Sequence, residues 1–177
     1  MIQLSTVLYG MVALFAVVGF QRGWTKEMIA STGIVLALFT IEQFKDVFLE
    51  PLTVGADPAQ KFYFYSAILL LITFFAYQTP DRFEKQTRRR KHFREGGLQE
   101  GLLGGVLGSL NGYLVVGSLW YYLRIFGYPL APNVTSPLPG TISEVMQYNL
   151  PLDWLLDGNL LTLILVLLFL FVIVVLI

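Results

Sequence analysis

Three groups of residues in this 177-residue chain have the types and spacing for chemistry or recognition. Glu42 and Lys45 stand three apart, so on a helix they share a face and can pair, with Asp46 beside them. Glu42 ends an uncharged run from Met28 to Ile41, which at ~1.5 Å per residue puts it roughly 21 Å along a helix. An ionisable side chain at that depth in a membrane marks a candidate functional site; the alternative is that the helix has surfaced there and the charges are wet. A second group is glycine-rich. Gly104, Gly108 and Gly112 repeat every four residues, and Gly101, Gly105 and Ser109 form a second row one step around. Such rows form a glycine-zipper face on which another helix can approach closely, either helix 1 or 2 of this chain or a helix of another chain, or which lines a narrow path. Asn111 sits beside it, an amide that seeks partners at membrane depth. The third group is basic: Arg82, Lys85, Arg88, Arg89, Arg90, Lys91 and Arg94. Arg88, Arg89, Arg90 and Lys91 suit anionic lipid headgroups, at about 1 kcal/mol per basic residue near the surface.

Catalysis finds little support. There is no cysteine, which removes thiolate chemistry, disulfides and Cys-built metal sites. The single histidine, His92, lies within the basic run and is a poor lone ligand. Neither HExxH, a phosphate-binding loop nor GxSxG occurs, and no apolar stretch carries paired aspartates. We therefore expect no enzyme, no cofactor and no metal. A nucleic-acid role is not expected either, because the basic run is short and lies against a membrane segment.

The elements that position these groups are apolar helices. Hydrophobic residues make up 55% of the chain and charged residues 14%, against about 25% charged in a soluble domain. Mean hydropathy is +0.66. A helix crossing the hydrocarbon core needs about 20 mostly apolar residues. The expected spans are Ile2 to Phe20, Met28 to about Phe48 with Pro51 as its stop, Phe62 to Thr79 closed by Pro80, about Leu102 to Phe126, and about Leu155 to Ile177. The third has aromatic ends, Phe62 to Tyr65 and Phe74 to Tyr77, around an aliphatic centre, the pattern of a span with two interfaces. The segments are too long and too continuously apolar for barrel strands. The expected fold is thus an all-α integral membrane protein with about five transmembrane helices.

Basic residues accumulate in cytoplasmic loops. The loop over 80–100 and the Arg22–Lys26 turn are two helices apart and fall on one side, which places the N-terminus outside and the C-terminus in the cytoplasm. Three parts follow: residues 1–126 as a four-helix membrane domain, 127–154 as a Pro-rich external segment, and 155–177 as a C-terminal transmembrane helix. Arg124, at the outer end of the fourth helix, can snorkel to the headgroups. Ile142 to Leu150 suits a short helix on the membrane surface. The formal net charge of zero then divides into a cationic inner face and an equally anionic outer one.

The first turn combines several local effects. Gly23 permits a tight reversal, Arg22 and Lys26 hold it in the cytoplasm, and Glu27 sits at the positive end of the second helix's dipole. The stretch Gly19-Phe20-Gln21-Arg22-Gly23-Trp24-Thr25-Lys26-Glu27 resembles the helix 1–helix 2 junction of the colicin V production protein (CvpA) family. Leu103-Gly104-Gly105-Val106-Leu107-Gly108-Ser109-Leu110-Asn111-Gly112 resembles that family's LGxxxGxLxG segment. The likeness covers roughly residues 1 to 126. Here Gln3 and Ser5 replace an acidic residue common in the family, Glu100-Gly101 stands for an Asp-Arg pair, and Asn111 stands for an Arg. The Pro-rich segment and the fifth helix lie outside the usual four-helix core.

The resemblance implies a bacterial inner-membrane protein, non-enzymatic, linked to bacteriocin or toxin export and envelope homeostasis. Two other functions fit the residues. One is an accessory subunit of a larger, for example energy-transducing, membrane complex, with other subunits or a second copy seated on the glycine face. The other is a small transporter or channel with Glu42 and Asn111 on its path.

Overall fold

In a computed structural model, residues 3–78 and 97–176 are described, with side chains as far as Leu170. Helix α1 is Leu4–Arg22 and α2 is Trp24–Phe44. Helix α2 is prolonged by a π-helical turn over Lys45–Leu49 and a last turn over Glu50–Leu52. Helix α3 is Pro58–Tyr77 and α4 is Gly97–Ile125. Short helices α5 (Ile142–Met146) and α6 (Pro151–Leu155) follow, then a 3₁₀ turn at Asp157–Asn159 and α7 (Leu160–Leu176).

Among the described residues, four helices are long and apolar enough to cross a membrane: Leu4–Arg22, Trp24–Leu52, Pro58–Tyr77 and Gly97–Ile125. A fifth crossing exists only if Ile142–Leu155 and Asp157–Leu170, bent by 48°, are taken as one span. The last helix therefore does not run unbroken from Leu155. Gly158 (φ 59°) and Asn159 (φ 61°) adopt left-handed backbone that no α-helix continues through. The 17 residues of α7 reach about 25 Å at 1.5 Å each.

Other boundaries differ for local reasons. Helix α2 does not stop at Pro51 but passes it to Leu52. A proline ring collides with the carbonyl four residues back. The π turn just before it shifts the hydrogen bonds by one residue, so that Glu50 N–H reaches Lys45 O. Helix α3 starts four residues before Phe62, at Pro58. Asp57 caps it by accepting from Gln60 N–H at 2.7 Å, and Gln60 Oε1 accepts back from Asp57 N–H, a reciprocal capping box. Pro80 and Thr79 lie outside the described residues.

Helix α1 packs along α4, while α2 lies between α3, α4 and α7. The main core fills the space around α2, with Ile34, Leu38, Ile41, Leu69, Val115 and Tyr122 among its buried members. A smaller cluster of Leu8, Trp120 and Leu150 seats the segment after α4. The helices expose apolar residues on their outer sides, such as Val17, Leu71, Phe75 and Val106, as helices bathed in lipid do.

Candidate functional site

At one end of the bundle, α1 turns into α2, α3 ends and α4 enters. Gly23 makes the turn with φ 82°, a left-handed value glycine adopts freely, and its N–H bonds Gly19 O at 2.9 Å. The reversal delivers Arg22 and Glu27 to the same spot. Glu27 is completely buried, and Arg22 Nη1 donates to its Oε1 at 2.9 Å. Arg22 Nη2 donates to Tyr77 O at 2.9 Å, and the guanidinium lies 4.4 Å over the Tyr77 ring, a cation–π contact.

Two further helices complete the carboxylate's shell. Tyr77 OH donates to Glu27 Oε2 at 3.0 Å, and Asn111 Nδ2 donates to the same oxygen at 2.9 Å and to Glu27 O at 3.2 Å. Ser31 Oγ lies 2.7 Å from Asn111 Oδ1 and 2.9 Å from Glu27 O, and its one proton serves either acceptor. Asn111 is itself fully buried. A buried carboxylate is tolerated only when paired and hydrogen-bonded, and this one has a guanidinium, a phenol and an amide from α1, α3 and α4.

The sequence points to Glu27 as a turn residue on a helix dipole, and to Asn111 as an amide beside a glycine face. That they bond each other across 84 residues has no local signal. Neither does the role of Tyr77 or Ser31, which read as an interfacial aromatic and an ordinary helix serine. The one available clue was an acidic residue followed at once by an apolar run.

The glycine face is used within the chain. A Cβ on Gly104 would come within 2.9 Å of Gly23 Cα and collide with Gly19 O. On Gly108 it would meet Phe15 O and lie 3.0 Å from Gly19 Cα, and on Gly112 it would lie 2.8 Å from Phe15 Cβ. A Cβ on Gly101 would lie 3.0 Å from the Phe20 ring, and one on Gly105 would lie 3.3 Å from Ala16 O. Backbone thus lies on backbone between α1 and α4. Ser109 departs from this row: it is half-exposed and turns its hydroxyl to Val106 O in its own helix at 2.7 Å. Lys26 is half-buried in the first turn of α2.

At the opposite end, Glu42 pairs with Lys45 within α2, Nζ to Oε2 at 3.1 Å, with side-chain exposures of 10% and 42%. Arg124 does not snorkel outward. It grips Asp153 through both guanidinium nitrogens and lies 5.1 Å from the Tyr121 ring. Asp153 also accepts from Leu150 N–H at 2.9 Å, so this pair clamps the segment after α4 onto the bundle. Tyr128 OH, which accepts from Trp120 Nε1, donates to Gln147 Oε1 at 2.9 Å. Burial keeps its phenol above the ordinary pKa, hence a neutral donor. Ser143 Oγ donates to Ser5 Oγ at 2.7 Å, tying α5 to the start of α1.

The lipid-headgroup candidates Arg88, Arg89, Arg90 and Lys91, with His92, lie outside the described residues. Among the described residues, no three His, Asp or Glu side chains converge in a way that could hold a metal ion.

A family model described as Colicin V production protein matches residues 4–137, well over half of the chain. The chain belongs to the colicin V production protein family. The match extends past α4 into the Pro-rich segment, beyond the 1–126 stretch in which the motifs lie. No curated protein and no solved structure matches this family member. The two motifs that carry the resemblance meet in space: the Arg22–Glu27 junction and the Gly104–Gly112 segment both contribute to the buried cluster, which Tyr77 and Ser31 complete.

Proposed function

We propose that this colicin V production family member is a non-enzymatic, multi-pass protein of the bacterial inner membrane that serves bacteriocin export and envelope homeostasis. The Glu27 cluster carries the non-enzymatic part of this reading. Both carboxylate oxygens are taken up by donors of the protein itself, so the cluster clasps the end of α1, the start of α2 and the end of α3 to the middle of α4. A general acid or base needs a reacting group within its reach, and here the protein's own donors fill that reach.

The proposed orientation has the N-terminus outside and the C-terminus cytoplasmic. Its support is that the Arg22–Lys26 turn lies at the end where α3 leaves and α4 enters, as Arg22 on Tyr77 O and Gly23 against Glu100 attest. The basic 82–94 run lies between those two helices in sequence, so both basic connections share one end, the cytoplasmic end by the charge rule. Anionic headgroups are the partners proposed for that run. Since the chain has no cysteine, single-cysteine labelling can test this cleanly. An impermeant thiol reagent added outside should label Ser136→Cys and spare Arg89→Cys, and the reverse pattern would overturn the orientation.

The functional test is deletion and complementation. Loss of the gene should reduce bacteriocin secretion and tolerance of envelope stress, and wild type should restore both while Glu27→Ala does not. Unchanged secretion and tolerance in the deletion strain would sink the reading.

A further inference from the structure

Helices α1 and α3 both pack on α4, but their backbones do not approach each other. The space between them is a groove of about 450 Å³, walled by Leu14, Phe15 and Val18 of α1 and by Leu70 and Phe74 of α3, over Val115 of α4. Leu14, Leu70 and Phe74 are exposed and Val115 beneath them is buried, so the groove opens sideways, toward lipid in a bilayer. Thr73 and Tyr77 also line it, and neither gives it an oxygen. Thr73 Oγ1 is buried, and Tyr77 OH is committed to Glu27 at 3.0 Å. The side-chain walls therefore offer hydrocarbon and no hydrogen bond, and a polar ligand would lose its own partners on entering.

Size narrows the occupant. From Leu70 to Tyr77 the groove runs about 10 Å along α3. Over that length its volume amounts to a section of about 45 Å², little more than half the roughly 80 Å² of a helix 10 Å across. A helix is too thick to enter; an acyl chain is not. An empty groove would leave its lining without dispersion partners on one side, and acyl chains are what a bilayer supplies to fill it. One end of the groove is marked by charge. There Phe15 and Tyr77 meet edge to face, with ring centres 5.9 Å apart, and the Arg22 guanidinium lies 4.4 Å over the Tyr77 ring. A chain that leaves past Val18 comes level with Arg22 one turn on, after about 6 Å. The segment that follows Gln78, residues 79–96, carries seven basic and three acidic residues, and anionic headgroups concentrate beside such a segment.

We propose that the groove between α1 and α3 holds one acyl chain of an anionic phospholipid whose headgroup lies at the Arg22 end. The chain packs on Phe15 and Tyr77, so the lipid supports the ring whose hydroxyl bonds Glu27. That this is a lipid of the cytoplasmic leaflet rests on the orientation proposed above. The binding does not, and it is measured on purified protein with no secretion assay.

The test uses the full chain, purified in mild detergent, stripped of lipid, and supplied with phosphatidylglycerol or phosphatidylethanolamine. Native mass spectrometry reads what stays bound, and a melting curve reads what it does. One phosphatidylglycerol should survive collision energies that remove phosphatidylethanolamine, and should raise the melting temperature by several degrees. Leu14→Trp together with Leu70→Trp fills the groove from two exposed wall positions and should cut retention at least five-fold with helix content unchanged. Leu70→Trp alone should cut it by a smaller factor, which keeps the test readable if the double variant melts early. Leu71→Trp, exposed on the same helix but outside the groove, should retain the lipid as wild type does. So should Thr73→Val, which keeps the shape of the wall and drops the buried hydroxyl. The proposal is overturned if wild type retains no phosphatidylglycerol, if it holds phosphatidylethanolamine as firmly, or if the tryptophans leave retention unchanged. Loss of the lipid in Thr73→Val overturns it too, since a hydrogen-bonding ligand would then be at work. So does a wild-type dimer that the two tryptophans dissociate, which would put a second copy in the groove.

Discussion

The two buried-end carboxylates of this chain, Glu27 and Glu42, are held in opposite ways. Glu42 pairs with Lys45 one turn along its own helix, and the lysine is nearly half exposed. Glu27 is bonded by residues five, fifty and eighty-four positions away, Asn111 fully buried and Arg22 and Tyr77 half-buried. The first pair is a property of one helix and survives if the others are removed. The second exists only when α1, α2, α3 and α4 have met, so the stability of the whole bundle is expressed at Glu27 and hardly at Glu42.

Mutations should separate the two. Glu27→Ala leaves the Arg22 guanidinium, the Tyr77 hydroxyl and the Asn111 amide without their shared acceptor. Breaking a buried pair by removing one partner costs about 3–5 kcal/mol, read as a large fall in thermal midpoint in mild detergent. The double variant Arg22→Met with Glu27→Leu should be less damaged than Glu27→Ala alone, because it removes the charge together with its partner. If the single variant melts with wild type, Glu27 is no hub. Gly108→Leu attacks the same end from the α1–α4 interface. The new side chain meets Phe15 O and Gly19 Cα, backbone that cannot swing aside, so the loss should reach about 3 kcal/mol, the upper range for overpacking. Tyr77→Phe deletes one bond to a charged acceptor and keeps the ring under Arg22, for a loss of about 2 kcal/mol. Glu42→Ala should cost under about 1 kcal/mol, as partly exposed in-helix pairs do. A Glu42→Ala loss equal to that of Glu27→Ala would erase the contrast.

What could be read from the chain followed the same division. The Glu42–Lys45 pair, the apolar helices and the close-packing glycine row are all matters of spacing within one element; the pair forms at 3.1 Å and Gly104, Gly108 and Gly112 meet a neighbouring helix, while Ser109 leaves the row and the last helix starts at Leu160. The glycine row gave its own geometry and narrowed its partner within the chain to helix 1 or helix 2, of which the structure selects α1. Gly104 and Gly108 lie on α1, whose matching Gly19 sits in an otherwise featureless apolar run. Where two local signals compete, the pattern misleads: Pro51 reads as a stop, yet the π turn before it absorbs the clash. The last apolar run reads as a single helix until Gly158 and Asn159 take left-handed backbone. Glu27, Tyr77, Asn111 and Ser31 were each visible as residues, but a cluster assembled from three separate helices has no period to detect.

The glycine seam between α1 and α4 also sets an order of events during synthesis. Among the described helices α1 leaves the ribosome first, and the surface it fits, Gly104 to Gly112, is made some eighty to ninety residues later. At about 5–20 residues per second that delay is roughly 4–18 s. Early in this interval Arg22, a neighbour in sequence, is the one of the three donors already made; Tyr77 follows fifty residues after Glu27 and Asn111 thirty-four after that. The first hairpin is therefore born with its charge balanced but its shape unfinished, and α4 arrives as the piece that closes both.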